Sequence, residues 1–414
     1  MDRQIAVKAS RGLSCCIAAF GWAAALWNGG AAAQEAGKAT GEPITIGVIE
    51  DRSGPSSFYS QESVKAFKLY VDAINNGTLL FDEGVVGRSP GILGRPIRAI
   101  YQDDQANPNL TPVKARQLLS SGAQLLFFLS GSGATMQGRV VCVEQKVACL
   151  APTNISTAIV KPPNNEYIFE LLPTSDLTAG VEAKVLRSLG YHRMAIISDQ
   201  TATSKLVGDN YRKIFATAGL ELLADESVPP GARDVTAELL RIKSTNPDFL
   251  FELMQDAPTT ALMYQTFQKL TMTMPRWSTN TMTASPAIWK LGGKSLDGIL
   301  FFDNIVLSNP HTQQVERLYR GKYGADAPFN FLHAVLWDGL MIAKKAIEAV
   351  GSTEGTALKN AIENIQDFSS AYGRDGYTLS FAPDRHNGAS AKGMLIVEFR
   401  SEGSPVEWKG QQPE

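Results

Sequence analysis

The stretch QLLFFLSGSGATMQGRVVCVEQKVACLA, residues 124–151, decides the fold. The apolar run from Gln124 to Leu129 reads as a buried strand, and Thr135 to Gln145 as a helix. Val147 to Ala151 then reads as a further strand. Strand, helix and strand following this closely form a βαβ unit, whose strands run parallel.

Outward from this unit the alternation continues. Towards the N-terminus, Ile44 to Ile49 and Ile97 to Tyr101 read as strands, with helices at Ser63 to Asn75 and Asn109 to Ser120. Towards the C-terminus a second series follows, with strands at Arg193 to Ser198, Phe249 to Leu253 and Arg276 to Ser278. Helices at Leu177 to Leu189, Lys205 to Ala218, Asp234 to Ser244 and Pro258 to Lys269 separate them. From Leu296 the pattern returns to β and then to a long helix, Leu332 to Val350. The expected class is α/β, with two doubly wound parallel-sheet lobes.

The ends and composition bound the function. Arg3, Lys8 and Arg11 precede an uncharged stretch, Leu13 to Trp27, which Asn28-Gly29-Gly30 breaks before Ala31-Ala32-Ala33. That is the pattern of a cleaved signal peptide over residues 1–33, and the apolar part is too short for an ordinary membrane span. Cys15 and Cys16 fall inside the leader, so the mature chain keeps Cys142 and Cys149. An oxidising compartment permits a disulfide between them, and two buried thiols fit the sequence equally. Removing the leader leaves about 380 residues, enough for two domains. A net charge of −2 with no basic run speaks against a nucleic-acid surface.

Ser130-Gly131-Ser132-Gly133-Ala134-Thr135 joins strand to helix and contains G-x-G. A dinucleotide site needs a third glycine, where Met136 stands, and an acid after the next strand, where the chain reads Ala151-Pro152-Thr153-Asn154. The loop's N–H groups, with the Ser132 and Thr135 hydroxyls, instead suit a small anion such as a carboxylate. There is no G-x-S-x-G, H-E-x-x-H or G-x-x-x-x-G-K-[ST] motif. Glu50 and Asp51, neighbours on an extended segment, point to opposite sides and make no acid/base pair. Two cysteines and four scattered histidines give no metal-ligand spacing, and no cofactor is expected.

Several segments together resemble the branched-chain amino-acid-type periplasmic binding proteins of ABC transporters, the leucine-binding-protein-like group. They are Ile46-Gly47-Val48 with Ser53-Gly54-Pro55, and Ile92-Leu93-Gly94-Arg95-Pro96-Ile97 with Asp103-Asp104-Gln105. The Ser130 to Thr135 loop, Pro152-Thr153-Asn154 and Phe381 to Gly388 complete the set. The resemblance implies a type I periplasmic binding fold joined by three hinge crossovers. Lobe 1 is then residues 44–171 plus 305–380, and lobe 2 residues 174–302 plus 386–414. It also implies a periplasmic monomer, not an enzyme, that binds a small amino acid or organic acid and works with an ABC permease. A sensor that regulates a partner shares the fold, and an exported α/β hydrolase is the alternative from another class.

The resemblance places Ser132 as a hydroxyl donor to a ligand carboxylate, Thr153 beside it, and Asn154 or Ser156 nearby. Tyr59 takes a position that packs on the ligand. From the second lobe, Thr203 lies in Ala202-Thr203-Ser204, where the family has Tyr-Gly. Gln255 and Asp256 replace an aromatic residue, and Asn280 replaces the acid that takes an α-ammonium. Asp256 is then the evident alternative partner for that ammonium. Each residue also has a plainer reading, Ser132 as a helix cap, Tyr59 as core and Asn280 as a turn residue. Arg52 is a further anion partner, or an exposed residue near a hinge.

Overall fold

The computed structural model describes residues 39–78, 89–400 and 405–412. The expected leader, residues 1–33, lies outside them. The first sheet contains β1 (Ile44–Glu50), β2 (Ile97–Asp103), β3 (Leu125–Phe128), β4 (Cys149–Ala151) and β5 (Ile168–Glu170). Their order is β2-β1-β3-β4-β5, every neighbour parallel. The intervening helices are α1 (Ser57–Asn75), α2 (Thr111–Ser120) and α3 (Ser132–Glu144).

β1 is buried at all seven positions, as a strand covered by helices on both faces must be. Gly47 sits where α2 presses on the sheet. A Cβ there would meet Leu126 Cδ2 at 2.7 Å and the Cβ atoms of Leu118 and Ala123 at 3.0 Å. Cys142, near the end of α3, is bridged to Cys149 at the start of β4 with 6.2 Å between Cα atoms. Both cysteines are fully buried, so the bridge ties α3 to the strand behind it.

The chain then enters the second sheet through α4 (Ser175–Ser188), β6 (Arg193–Asp199), α5 (Ala202–Thr217), β7 (Glu221–Val228) and α6 (Thr236–Ser244). It continues with β8 (Phe249–Leu253), α7 (Ala257–Lys269), β9 (Arg276–Ser278), α8 (Thr281–Ala284), α9 (Pro286–Gly292) and β10 (Leu300–Asp303). The parallel part runs β7-β6-β8-β9-β10, the same winding as the first sheet.

After β10 the chain returns to the first sheet's side with α10 (Pro310–Tyr323), α11 (Phe331–Val350) and α12 (Gly355–Glu363). Tyr319 of α10 donates to Glu62 Oε2 on α1 at 2.8 Å, and Trp337 of α11 meets Tyr70 of α1 edge-on at 5.5 Å. The apolar length of α11 is explained by this sandwiching, since all but a few of its residues are buried. A short hairpin, β11 (Phe368–Ser369) and β12 (Thr378–Leu379), precedes the final crossing. β13 (Leu395–Glu398) and β14 (Val406–Glu407) then add antiparallel strands beside β10, so the second sheet is mixed at that edge.

The chain thus passes between the sheets three times, and two of the passages are laced together. Glu170 N donates to His386 O, and Gly388 N to Glu170 O, both at 3.0 Å. Asn387 Nδ2 donates to Leu172 O at 2.8 Å. Among the described residues no helix is long and apolar enough to cross a membrane.

Candidate functional site

In a sheet wound 2-1-3-4-5, the loops after the first and third strands diverge to opposite faces and leave a crevice at the carboxyl ends. Here two such crevices face each other. The first gathers the segments after β1, β3 and β4, and the second those after β6, β8 and β9. The cleft between them holds about 580 Å³ of empty space, its mouth included.

On the first side, Asp51 shapes the loop after β1. Its buried carboxylate accepts from Gly54 N and from Ser56 N at 2.6 Å, which delivers Tyr59 to the cleft on the first turn of α1. Gly54 has no room for a side chain, since a Cβ would lie 2.2 Å from Gln105 O. After β3, Ser130 donates to buried Asp104 at 2.8 Å, and its carbonyl accepts from Asn154 Nδ2 at 2.8 Å. Desolvation, partly offset by Thr111 and Ser130, pushes the Asp104 carboxyl up to about 6.

α3 begins at Ser132 with Gly131 as its N-cap, and no side chain caps it. The Ala134 and Thr135 N–H groups bond back to the Gly131 carbonyl at 3.0 Å, and the turn ahead of them borders the cleft. The Gly133 N–H meets Thr203 Oγ1 from the second side at 3.1 Å, so the two walls touch here. A Cβ on Gly133 would lie 2.5 Å from the Ala202 carbonyl carbon, which ties this contact to glycine. Ser132 Oγ accepts from Ile155 N at 3.3 Å, which leaves its own proton to donate.

The second side is built differently. Thr201 caps α5 through Ser204 N, and Asp256 caps α7 through Thr259 N. Asp199 accepts from Gln255 N and from Asp256 N at 2.8 Å, fixing the loop after β8. Behind it, Glu252 accepts from Met254 N, from Ser278 Oγ at 2.6 Å and from Tyr264 OH at 3.3 Å. Desolvation outweighs those bonds and raises Glu252 to about 7.

Of the residues expected from sequence, Tyr59, Ser132, Thr153, Asn154, Thr203, Gln255 and Asn280 line this one cleft. Ser156 and Asp256 do not. Ser156 is buried at the start of a short 3-10 turn. The Asp256 Oδ2 accepts from the Thr259 N–H and hydroxyl and from Gly231 N, so that oxygen is turned to its own helix. Arg52 pairs with Glu50 and is largely exposed, outside the cleft.

Sequence reading missed Ser56, Phe331 and Leu332. Phe331 and Leu332 open α11, whose cap Asn330 is held from across the cleft by the Thr283 and Ala284 carbonyls, at 2.9 and 3.2 Å. The capping pair Asn330 and His333 was the available signal for a helix start, though not for a cleft wall. Two polar atoms at the cleft are buried without a protein partner, the Tyr59 hydroxyl and Asn154 Oδ1. Among the described residues no group of His, Cys, Asp and Glu could hold a metal ion.

Comparison with known proteins agrees with this architecture. The periplasmic binding protein family profile matches residues 43–404. The chain is 25% identical over 209 residues to the Leu/Ile/Val-binding protein BraC3 of Rhizobium johnstonii, a match covering 50% of this chain and 53% of that protein. It is 22% identical over 338 residues to the Leu/Ile/Val-binding protein homolog 3 of Brucella melitensis, covering 81% of this chain and 87% of that one. A Rhodopseudomonas palustris solute-binding protein of an ABC transporter, solved with benzoate, superposes with a TM-score of 0.74 at 17% identity. That match covers 88% of this chain and 95% of the other. The profile spans nearly all of the chain, and the paired sheets share one winding about a single cleft: the chain belongs to the periplasmic binding protein family.

Proposed function

We propose that the protein is a periplasmic solute receptor, not an enzyme, that captures a small organic carboxylate and presents it to an ABC permease. The amino acids and their near relatives are the class considered. One observation carries the reading: the cleft joins the switch points of both sheets, with the start of α3, met only by Thr203 from the opposite wall, and the Ser132 hydroxyl on one wall. An anion at a helix N-terminus meets free N–H donors and the positive end of the helix dipole. Closing the walls around it removes water and strengthens those bonds. The names of the Leu/Ile/Val-binding relatives and the benzoate held by the R. palustris protein both support a carboxylate-bearing solute.

A thermal-shift screen of amino acids, oxo acids and aromatic acids tests this. A ligand at 100 times its dissociation constant adds about 2.7 kcal/mol of stability. At least one of these carboxylates should raise the melting temperature by several degrees. A screen in which none does so, while neutral sugars do, contradicts it.

A further inference from the structure

The distribution of charge around the cleft narrows the ligand further, in an inference that rests on the receptor reading above. Among the described residues, no Asp, Glu, Lys, Arg or His side chain lines the cleft. Three carboxyls stand behind the second wall: Asp199 and Glu252 hold the protein's own donors on both oxygens, and Asp256 holds them on Oδ2. Asp199 holds the N–H groups of Thr201, Gln255 and Asp256 together with the Thr201 hydroxyl. Asp256 holds Gly231 and Thr259, and Glu252 holds Met254, Ser278 and Tyr264.

On the wall itself the polar groups are amides and hydroxyls. Their orientation follows from their partners. Asn304 Nδ2 donates to Gly393 O at 3.2 Å, so its Oδ1 is the acceptor for Asn280 Nδ2 at 3.1 Å. Asn154 is fixed in the same way by Ser130 O, which leaves Oδ1 as an acceptor with no partner at 2% exposure. The Tyr59 hydroxyl is also unpartnered, at 8% exposure.

A closed cleft with these walls treats the two ends of a zwitterion unequally. A carboxylate finds charge-assisted N–H and O–H donors at the start of α3. An ammonium finds neutral acceptors and no carboxylate in contact, which leaves a desolvated cation unpaired. A neutral hydroxyl or carbonyl carries no such penalty.

We infer that the ligand is a carboxylate with no free ammonium, an oxo or hydroxy acid, and that the neutral side chains of Asn280 and Gln255 set this choice. Asn280 is positioned by its amide bond to Asn304 and Gln255 by its backbone N–H on Asp199, so a carboxyl at either position changes the preference.

The test is titration calorimetry on the wild-type protein with two matched series. They are leucine, 2-oxoisocaproate and 2-hydroxyisocaproate, and phenylalanine, phenylpyruvate and phenyllactate. Within each trio only the group on the second carbon changes. Oxo and hydroxy acids should bind at least tenfold more tightly than the amino acid of the same skeleton. Asn280→Asp should shift that ratio at least tenfold towards the amino acid, and Gln255→Glu provides the same readout if the first variant does not fold. Amino acids binding tightest to the wild type overturns the inference and leaves the receptor reading standing. Ratios unmoved in both folded variants overturn the role given to the wall. Binding of no compound in either series removes the carboxylate-receptor reading and this inference together.

Discussion

The two walls of the cleft share one winding but end their helices differently. On the first wall α3 starts at Ser132 with only Gly131 before it, so its own cap supplies no side chain, and its Gly133 N–H is met by Thr203 Oγ1 from the opposite wall. On the second, α5 and α7 are closed by Thr201 and Asp256. A helix that caps itself has spent the donors an anion would need, and one that does not has kept them. On the proposed reading the difference gives the walls distinct tasks: the first would hold the charged end of a ligand, and the second would close over the remainder with neutral groups. The first wall is also stapled from behind by the Cys142–Cys149 bridge, just where α3 ends.

The largest expected effect separates that staple from the binding surface. Replacing both Cys142 and Cys149 by Ser should cost about 2–4 kcal/mol in denaturant unfolding. Ligand affinity of the folded variant, measured at low temperature, should stay within about twofold of wild type. An affinity loss comparable to the stability loss breaks the division between support and surface.

Next comes the first wall itself. Ser132→Ala removes a hydrogen bond to a charged group, roughly 1.5–3 kcal/mol, and titration calorimetry should show weaker binding of about ten- to a hundredfold. Its stability loss should be smaller, from the Ile155 N–H left without Ser132 Oγ. Gly133→Ala acts on closure, because the added methyl meets Ala202 and Thr203 of the opposite wall. Such overpacking costs about 1–3 kcal/mol. Affinity should fall by up to a hundredfold, and small-angle scattering with ligand should show a more open particle than wild type.

The smallest effect belongs to the second wall. Asp256→Ala should cost roughly 1 kcal/mol of stability through the lost cap of α7, with affinity nearly unchanged. If Asp256→Ala instead abolishes binding and Ser132→Ala leaves it intact, the roles of the two walls are reversed.

Most of this fold was readable from periodicity. β8 and β9 fall on the residues expected for them, Phe249–Leu253 and Arg276–Ser278, and for β8 the reason is that a buried parallel strand is a short apolar run with sharp ends. Two helix starts at the cleft were placed too late. α1 begins at Ser57 and not Ser63, and α3 at Ser132 and not Thr135, since their first turns are polar where they border the cleft. β7 was not recognised because, as an edge strand, it is largely exposed and reads Glu-Leu-Leu-Ala-Asp-Glu-Ser-Val with little apolar run. At the site, loop position told more than residue chemistry. The loops after parallel strands converge by topology, which brought Tyr59, Ser132, Thr153 and Gln255 together. Nothing local could say that Asp256 turns back to cap α7, since an N-cap and a ligand contact use the same residue types. Phe331 reaches the cleft only because α11 is carried back across from the second sheet, a long-range packing fact with no sequence motif.

The most direct measurement is a crystal structure of the protein with an oxo or hydroxy acid bound. The account predicts the ligand carboxylate within about 3 Å of the Ser132 hydroxyl and of the first N–H groups of α3, with no charged side chain against its other end. A carboxylate seated instead against Gln255 and Asn280, with the start of α3 unoccupied, would contradict it.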